Sequence, residues 1–373
     1  MTTAIAETYL RSTHASERAA AAEYLANAVL TAKTPREDRN AAISALTLLA
    51  EDPSPIVRAA ISAALAGSNR APLHIVLYLA KDQPSVAAPI LLRSPLLTEN
   101  DLVELVATLN TRGQAVIARR AGLAAGVTAT LCAFGAREAV IELARSDDAE
   151  ILPSAFRQMV ERFGRDAELR EILIRHARLP VDCRHRLLAG VGDVLSQSPF
   201  VKAMIGPERA ARVARDACAR STIALVEGAR PAEMSELVGR LREAGHLTTA
   251  FVLRCMALGK MEFFVHLIAH LSTVPQDRVR TILVSGRDLA ITALFDKAHL
   301  AASIHRPLVG AIHVWRAVAR GDRIAGAREA SQAMIDAMGD ENASQAGQII
   351  SLLRQVQADA MRSAATESVR IAA

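Results

Sequence analysis

A proline-marked turn recurs along this chain, and it narrows what the chain can fold into. Leu49-Ala50-Glu51-Asp52 runs into Pro53-Ser54, and thirty residues on Leu79-Ala80-Lys81-Asp82 is followed by Pro84-Ser85. Leu143-Ala144-Arg145-Ser146 is a weaker third echo, and Val86 and Val116 are again thirty apart. The segments between these turns carry helical spacing. Thr34-Pro35-Arg36-Glu37 reads as a capping box with proline at the first helical position. Ile43, Leu46 and Leu49 then share one stripe, until Asp52-Pro53-Ser54-Pro55 ends the helix because proline has no N–H to give. Ile56, Val57, Ala60, Ile61, Ala64 and Leu65 form the next apolar face, closed by Gly67. Leu102, Leu105, Val106 and Leu109, a break at Arg112-Gly113, then Val116 and Ile117 repeat the scheme. Paired helices at a period of roughly 20–50 residues signal stacked hairpins. Each hairpin has an apolar side that only a neighbour can cover.

The residues available for that core are aliphatic. Hydrophobic residues make up 51% of the chain but aromatic ones only 3%, with Trp315 the single tryptophan. Alanine is the best helix former, and no segment alternates as a strand would. Cys132, Cys183, Cys218 and Cys255 form no CxxC pair and read as reduced cytosolic thiols. The start, MTTAIAETYLRSTHASER, has neither the basic nor the apolar region of a signal peptide. The longest uncharged run, 121–136, falls short of the roughly 20 apolar residues a membrane span needs. The expected location is cytoplasmic, with no membrane insertion.

The stretch LTLLAEDPSPIVRAAISAALA is similar to a HEAT repeat. Leu46 and Leu49 lie on its first helix, Asp52-Pro53 in the turn, and Val57-Arg58, Ala60, Ala64 and Leu65 on the second. The resemblance implies an Asp–Arg ladder between neighbouring repeats, with Asp52 and Arg58 at the matching positions. The second copy keeps Asp82 and Val86 but has Ala87 where the arginine belongs, so the ladder is expected to break there. A longer resemblance, over about residues 40–300, is to an alphaproteobacterial family of helical proteins of unassigned function. It rests on Val86-Ala87-Ala88-Pro89-Ile90-Leu91, Ser94-Pro95, Asp101-Leu102 and Ile117-Ala118-Arg119-Arg120. It implies an all-α fold and bacterial origin, and brings no catalytic residues.

The expected fold is therefore an all-α, HEAT-like α-solenoid of stacked helical hairpins with a second helical block. Ser196-Gln197-Ser198-Pro199 and Gly206-Pro207 mark a boundary, giving a repeat domain over 1–198 and a C-terminal helical domain over 199–325. Helices are expected over 232–243, 247–258, 261–271, 277–284, 289–298 and 306–319. Residues 326–373 hold terminal helices, the last over 344–361 after Asp340-Glu341-Asn342, and a frayed tail.

Catalytic constellations are weak. His266 and His270 lie four apart in FFVHLIAHL, with Glu262 one turn earlier, but a single helix rarely closes a metal site and Leu267 stands where a metalloprotease carries glutamate. Two packed or half-exposed histidines, one paired with Glu262, is the preferred reading. Cys183 and His185, two apart, point to different helix faces. No phosphate-binding glycine loop or nucleophile elbow occurs. No enzyme, metal or cofactor is expected. The net charge of +5 is matched by the segment 157–220 alone, which has 13 Lys and Arg against 8 Asp and Glu. Arg209, Arg212 and Arg215 step along one helix there, with Glu208 and Arg212 placed for a local ion pair. The expected function is an adaptor or scaffold binding a protein partner through Arg58, Arg119, Arg120, Arg209, Arg212 and Arg215. The alternative is nucleic-acid binding by the basic segment, without aromatics nearby to stack bases.

Overall fold

The computed structural model describes residues 12–338 and 343–372. The N-terminal reading over 1–11 and the break at Asp340-Glu341-Asn342 lie outside the described residues. Among those described, the secondary structure is 22 α-helices and one 3-10 turn, Ala302–Ile304. The chain divides into two compact units, one up to Leu179 and one from Pro180.

The first unit holds α1 (Ala15–Leu30), α2 (Arg36–Leu49), α3 (Pro55–Leu65), α4 (Leu73–Ala80), α5 (Pro84–Arg93) and α6 (Glu99–Thr108), then α7 (Thr111–Ala118), α8 (Ala125–Phe134), α9 (Arg137–Ala144), α10 (Pro153–Phe163) and α11 (Ala167–Arg175). Odd-numbered helices pack in series, α1 on α3, α3 on α5, α5 on α7, α7 on α9 and α9 on α11. A second row joins α6, α8 and α10. The repeated turns produce this order: proline opens α3, α5 and α10 at the position where a missing N–H costs nothing. Leu46, Ile61, Leu65, Leu79, Ile90, Leu105 and Ile117 are buried, as the 3.6-residue spacing requires. The capping box expected at Thr34 does not form. Pro35 occupies the N-cap of α2 and no side chain caps it. A capping box stands instead at α6, where Thr98 Oγ1 accepts from Asp101 N–H and the Asp101 carboxylate accepts from Thr98 N–H.

The second unit comprises α12 (Val181–Gln197), α13 (Pro199–Ile205), α14 (Pro207–Glu227), α15 (Pro231–Glu243), α16 (Thr249–Ala257) and α17 (Met261–Ser272), then α18 (Gln276–Ser285), α19 (Asp288–Lys297), α20 (His305–Arg320), α21 (Ala327–Asp336) and α22 (Ala343–Ala372). Expected and observed helices from α15 to α20 agree to within two residues at either end. The last helix is longer than the expected 344–361. Helix α16 is the hub: every residue from Phe251 to Ala257 is buried, and it packs against α17, α20, α21 and α22. A helix buried on all sides, here even at Arg254, belongs in a core. Phe251, Phe263, Phe264 and Phe295 meet there edge to face, adding to aliphatic burial. The Ser196–Pro199 and Gly206-Pro207 breaks separate α12, α13 and α14.

Candidate functional site on the second unit

Three of the six arginines named from sequence serve the first unit's own architecture. Arg58 grips Asp82 with two bonds, Nε to Oδ2 at 2.6 Å and Nη2 to Oδ1 at 3.0 Å. Arg18 grips Asp52 in the same fork, at 2.7 and 3.0 Å, and Arg137 grips Asp166 at 2.7 and 3.2 Å. Each aspartate also accepts a backbone N–H at its own turn. The rung thus joins Arg58 to the following turn's Asp82, while Ala87 leaves no arginine to extend the row. Arg18 holds the Asp52 carboxyl below the usual range; at Asp82 burial pushes upward, and the Arg58 fork with the Gln83 N–H outweighs it. Arg120 donates to the carbonyls of Leu91 and Ser94 at the end of α5. Arg162 does the same to Cys132 and Gly135 after α8, and Arg316 to Ile282, Leu283 and Gly286 after α18. Helix ends leave carbonyls without partners, and these guanidinium groups supply them. Arg119 pairs with Glu142 on the surface.

Arg209, Arg212 and Arg215 are different. All three are exposed on α14, and no ion pair joins Glu208 to Arg212 among the described residues. The short helix α13 before them has no buried residue. Phe200 is 74% exposed and Met204 69%. Val194 and Leu195 at the end of α12, Ile205, and Val213 on α14 are also exposed. Breaking proline and glycine residues leave α13 too short to fold its apolar side inward. Exposed apolar side chains thus accompany exposed cations along this stretch of the chain.

Arg212 and Arg215 also border a cavity of about 380 Å³, lined from α12 by His185 and Asp193, from α14 further by Asp216, Cys218 and Thr222, and from later segments by His246 and Arg254. His246 follows Gly245, which at φ +69° closes α15 in a left-handed cap. Gly245 N–H bonds Arg242 O at 3.0 Å and His246 N–H bonds Leu241 O at 2.8 Å, the paired bonds of a Schellman ending. That ending places His246 over the cavity. His185 Nε2 is 2.9 Å from His246 Nδ1, and His185 Nδ1 is 2.7 Å from Thr222 Oγ1. Burial, then the neighbouring His246, drives the His185 pKa down to about 4, so the ring is neutral near pH 7. Burial pushes the Cys218 thiol up. Arg254 is only 2% exposed, its Nε and Nη2 lack hydrogen-bond partners, and its nearest carboxylate, Asp216, is 3.9 Å away.

The histidines weighed from sequence are not brought together. His266 is buried against Ser235 Oγ at 2.8 Å and Gln276 Nε2 at 3.1 Å, while His270 is exposed. Glu262 pairs with Arg280 and stands 3.8 Å from His266. Cys183 and His185 both lie buried on α12, but the thiol that approaches His185 is Cys218, 33 residues further along. Its sequence trace was Cys218 and Thr222 one helical turn apart, a weak signal without the facing helix. The first unit has a cleft of about 300 Å³ near Asp82, Asn110 and Gly113. Its polar groups are already engaged, Asp82 by Arg58 and Asn110 by Gly113 N–H.

Among the described residues no helix is long and apolar enough to cross a membrane. A family model described as an uncharacterised protein conserved in bacteria matches residues 86–347. Neither a curated protein nor a solved structure gives a match.

Proposed function

We propose that this chain, which belongs to the bacterial family DUF2336, is a non-catalytic helical-repeat adaptor that binds a protein partner in the cytoplasm. In this reading the first unit is a HEAT-like solenoid of stacked hairpins, of the alphaproteobacterial kind that the 85–144 stretch resembles. The serial packing of α1 to α11 and the Arg–Asp rungs support it. The observation that carries the binding reading is α13, a helix with none of its seven residues buried, set beside the Arg209–Arg212–Arg215 row. Phe200 and Met204 offer apolar anchors, and the arginines favour an acidic segment of the partner.

Affinity capture with mass spectrometry tests it, comparing the parent chain with a Phe200→Asp/Met204→Asp variant of equal melting temperature. A stoichiometric partner kept by the first and lost by the second is expected. Identical capture sets, or none above control, overturn the reading. Salt-dependent binding to unrelated DNAs, lost on Arg209→Glu, Arg212→Glu and Arg215→Glu, would instead transfer this face to nucleic acid.

A further inference from the structure

The cavity of the second unit holds a donor set that the partner-binding reading does not use. Among the described residues one group of three metal-ligating side chains converges: His185 on α12, Cys218 on α14 and His246 after α15, with one nitrogen or sulfur of each within 4.8 Å of the others. Neighbouring hydrogen bonds fix which His185 nitrogen is bare. Thr222 Oγ1 donates to the Cys218 carbonyl at 2.8 Å, so its lone pair accepts from His185 Nδ1–H at 2.7 Å. Nε2 is left with its lone pair turned to His246 Nδ1, 2.9 Å away. Ligating histidines commonly have their second nitrogen held in this way. Two imidazoles and a thiolate suit zinc-class cations, which take three protein ligands where a fourth position stays open.

We propose that His185 Nε2, Cys218 Sγ and His246 Nδ1 form a three-ligand site for a zinc-class divalent cation, with its fourth position open to the cavity. On tetrahedral zinc two nitrogens sit about 3.3 Å apart, and nitrogen and sulfur about 3.6 Å. The histidines therefore part slightly and the sulfur draws in by about 1.2 Å at most. His185 is buried and is the fixed point, while His246 sits on a turn and Cys218 is half-buried. Cation entry sends the thiol proton to solvent and moves the His246 proton from Nδ1 to Nε2. Asp193 and Asp216 line the cavity against Arg212, Arg215 and Arg254, and the thiolate left when cation entry displaces the Cys218 proton brings these fixed charges to parity. The bound ion ties α12, α14 and the α15–α16 turn together.

Cobalt(II) titration of the metal-stripped full chain tests the site. One equivalent is expected to produce a thiolate-to-cobalt charge-transfer band in the near ultraviolet and intense visible bands of a four-coordinate ion, with zinc displacing it. Cys218→Ser removes the charge-transfer band, and His246→Ala weakens binding at least tenfold. Thr222→Val, which preserves shape but not the hydrogen bond to His185, weakens it by about 10–100-fold. Circular dichroism checks that each variant is folded; if Cys218→Ser is not, His246→Ala on its turn decides. No stoichiometric uptake, a band that survives Cys218→Ser, or unchanged affinity in His246→Ala overturns the proposal.

Discussion

Asp82 illustrates how one side chain joins two repeats. Its carboxylate caps its own turn through Gln83 N–H and receives the Arg58 fork from the preceding hairpin. Charged hydrogen bonds of this kind contribute about 1.5–3 kcal/mol, so Asp82→Asn should lose about that much in urea unfolding at pH 7. The folded pKa lies below the unfolded value of about 3.9. The contribution is therefore full above that unfolded value and is lost as pH falls through the folded one. The gap between Asp82→Asn and the parent chain should close in strong acid, and a gap independent of pH would contradict the ion-pair account. Arg120 is the second case. Arg120→Met keeps the aliphatic stem but strips the Leu91 and Ser94 carbonyls of their donors. It should destabilise by about 1.5–3 kcal/mol in denaturant titration. Sequence placed Arg58 and Arg120 near turns and, by resemblance, Arg58 in an Asp–Arg ladder, yet also offered both to a partner, because composition cannot distinguish an arginine facing solvent from one facing a helix end.

At the scale of elements, the second unit ends helices with a recurrent left-handed cap. Gly245, Gly259 and Gly321 occupy that position after α15, α16 and α20, and His299 occupies it after α19 at φ +56°. His299 and Thr273, which follows α17 at φ +56°, are the exceptions, since a side chain there costs about 1–2 kcal/mol. His299→Gly should therefore raise stability by roughly 0.5–1 kcal/mol, after glycine's larger unfolded-state entropy is subtracted. A lower melting temperature in that variant would contradict this. Gly259 needs its lack of a side chain twice over, for φ +68° and because a Cβ would stand 2.9 Å from the Trp315 ring. Helix identities from α15 to α20 were legible because Pro, Gly and 3.6-residue spacing act locally. The cap at Thr34 was misjudged because Pro35 took the N-cap itself.

Across the whole molecule, the two units build their cores differently. The first packs Leu, Ile, Val and Ala, with Phe156, in serial helix contacts, and the second adds Phe251, Phe263, Phe264 and Phe295 to an aliphatic core around α16. Leu105 is 2% exposed on α6, and Leu105→Asp places an unpaired charge among those serial contacts. It should destabilise by about 3 kcal/mol or more, read as an early loss of helical circular dichroism. An unchanged melt would mean the hairpins do not depend on their neighbours. The charge surplus of 157–220 is shared between the two units. Arg162 and Arg178 donate to backbone carbonyls of the first unit, while Arg209, Arg212 and Arg215 are exposed on the second.

Local chemistry written along the chain settled helicity, most turns and the aliphatic core, because spacing and proline act within a few residues. The meeting of His185, Cys218 and His246, the burial of Arg254 inside α16, and the exposure of α13 came only with tertiary packing. Each depends on which helix faces cross, and residues 33 or 61 apart acquire a common neighbourhood only when their helices do.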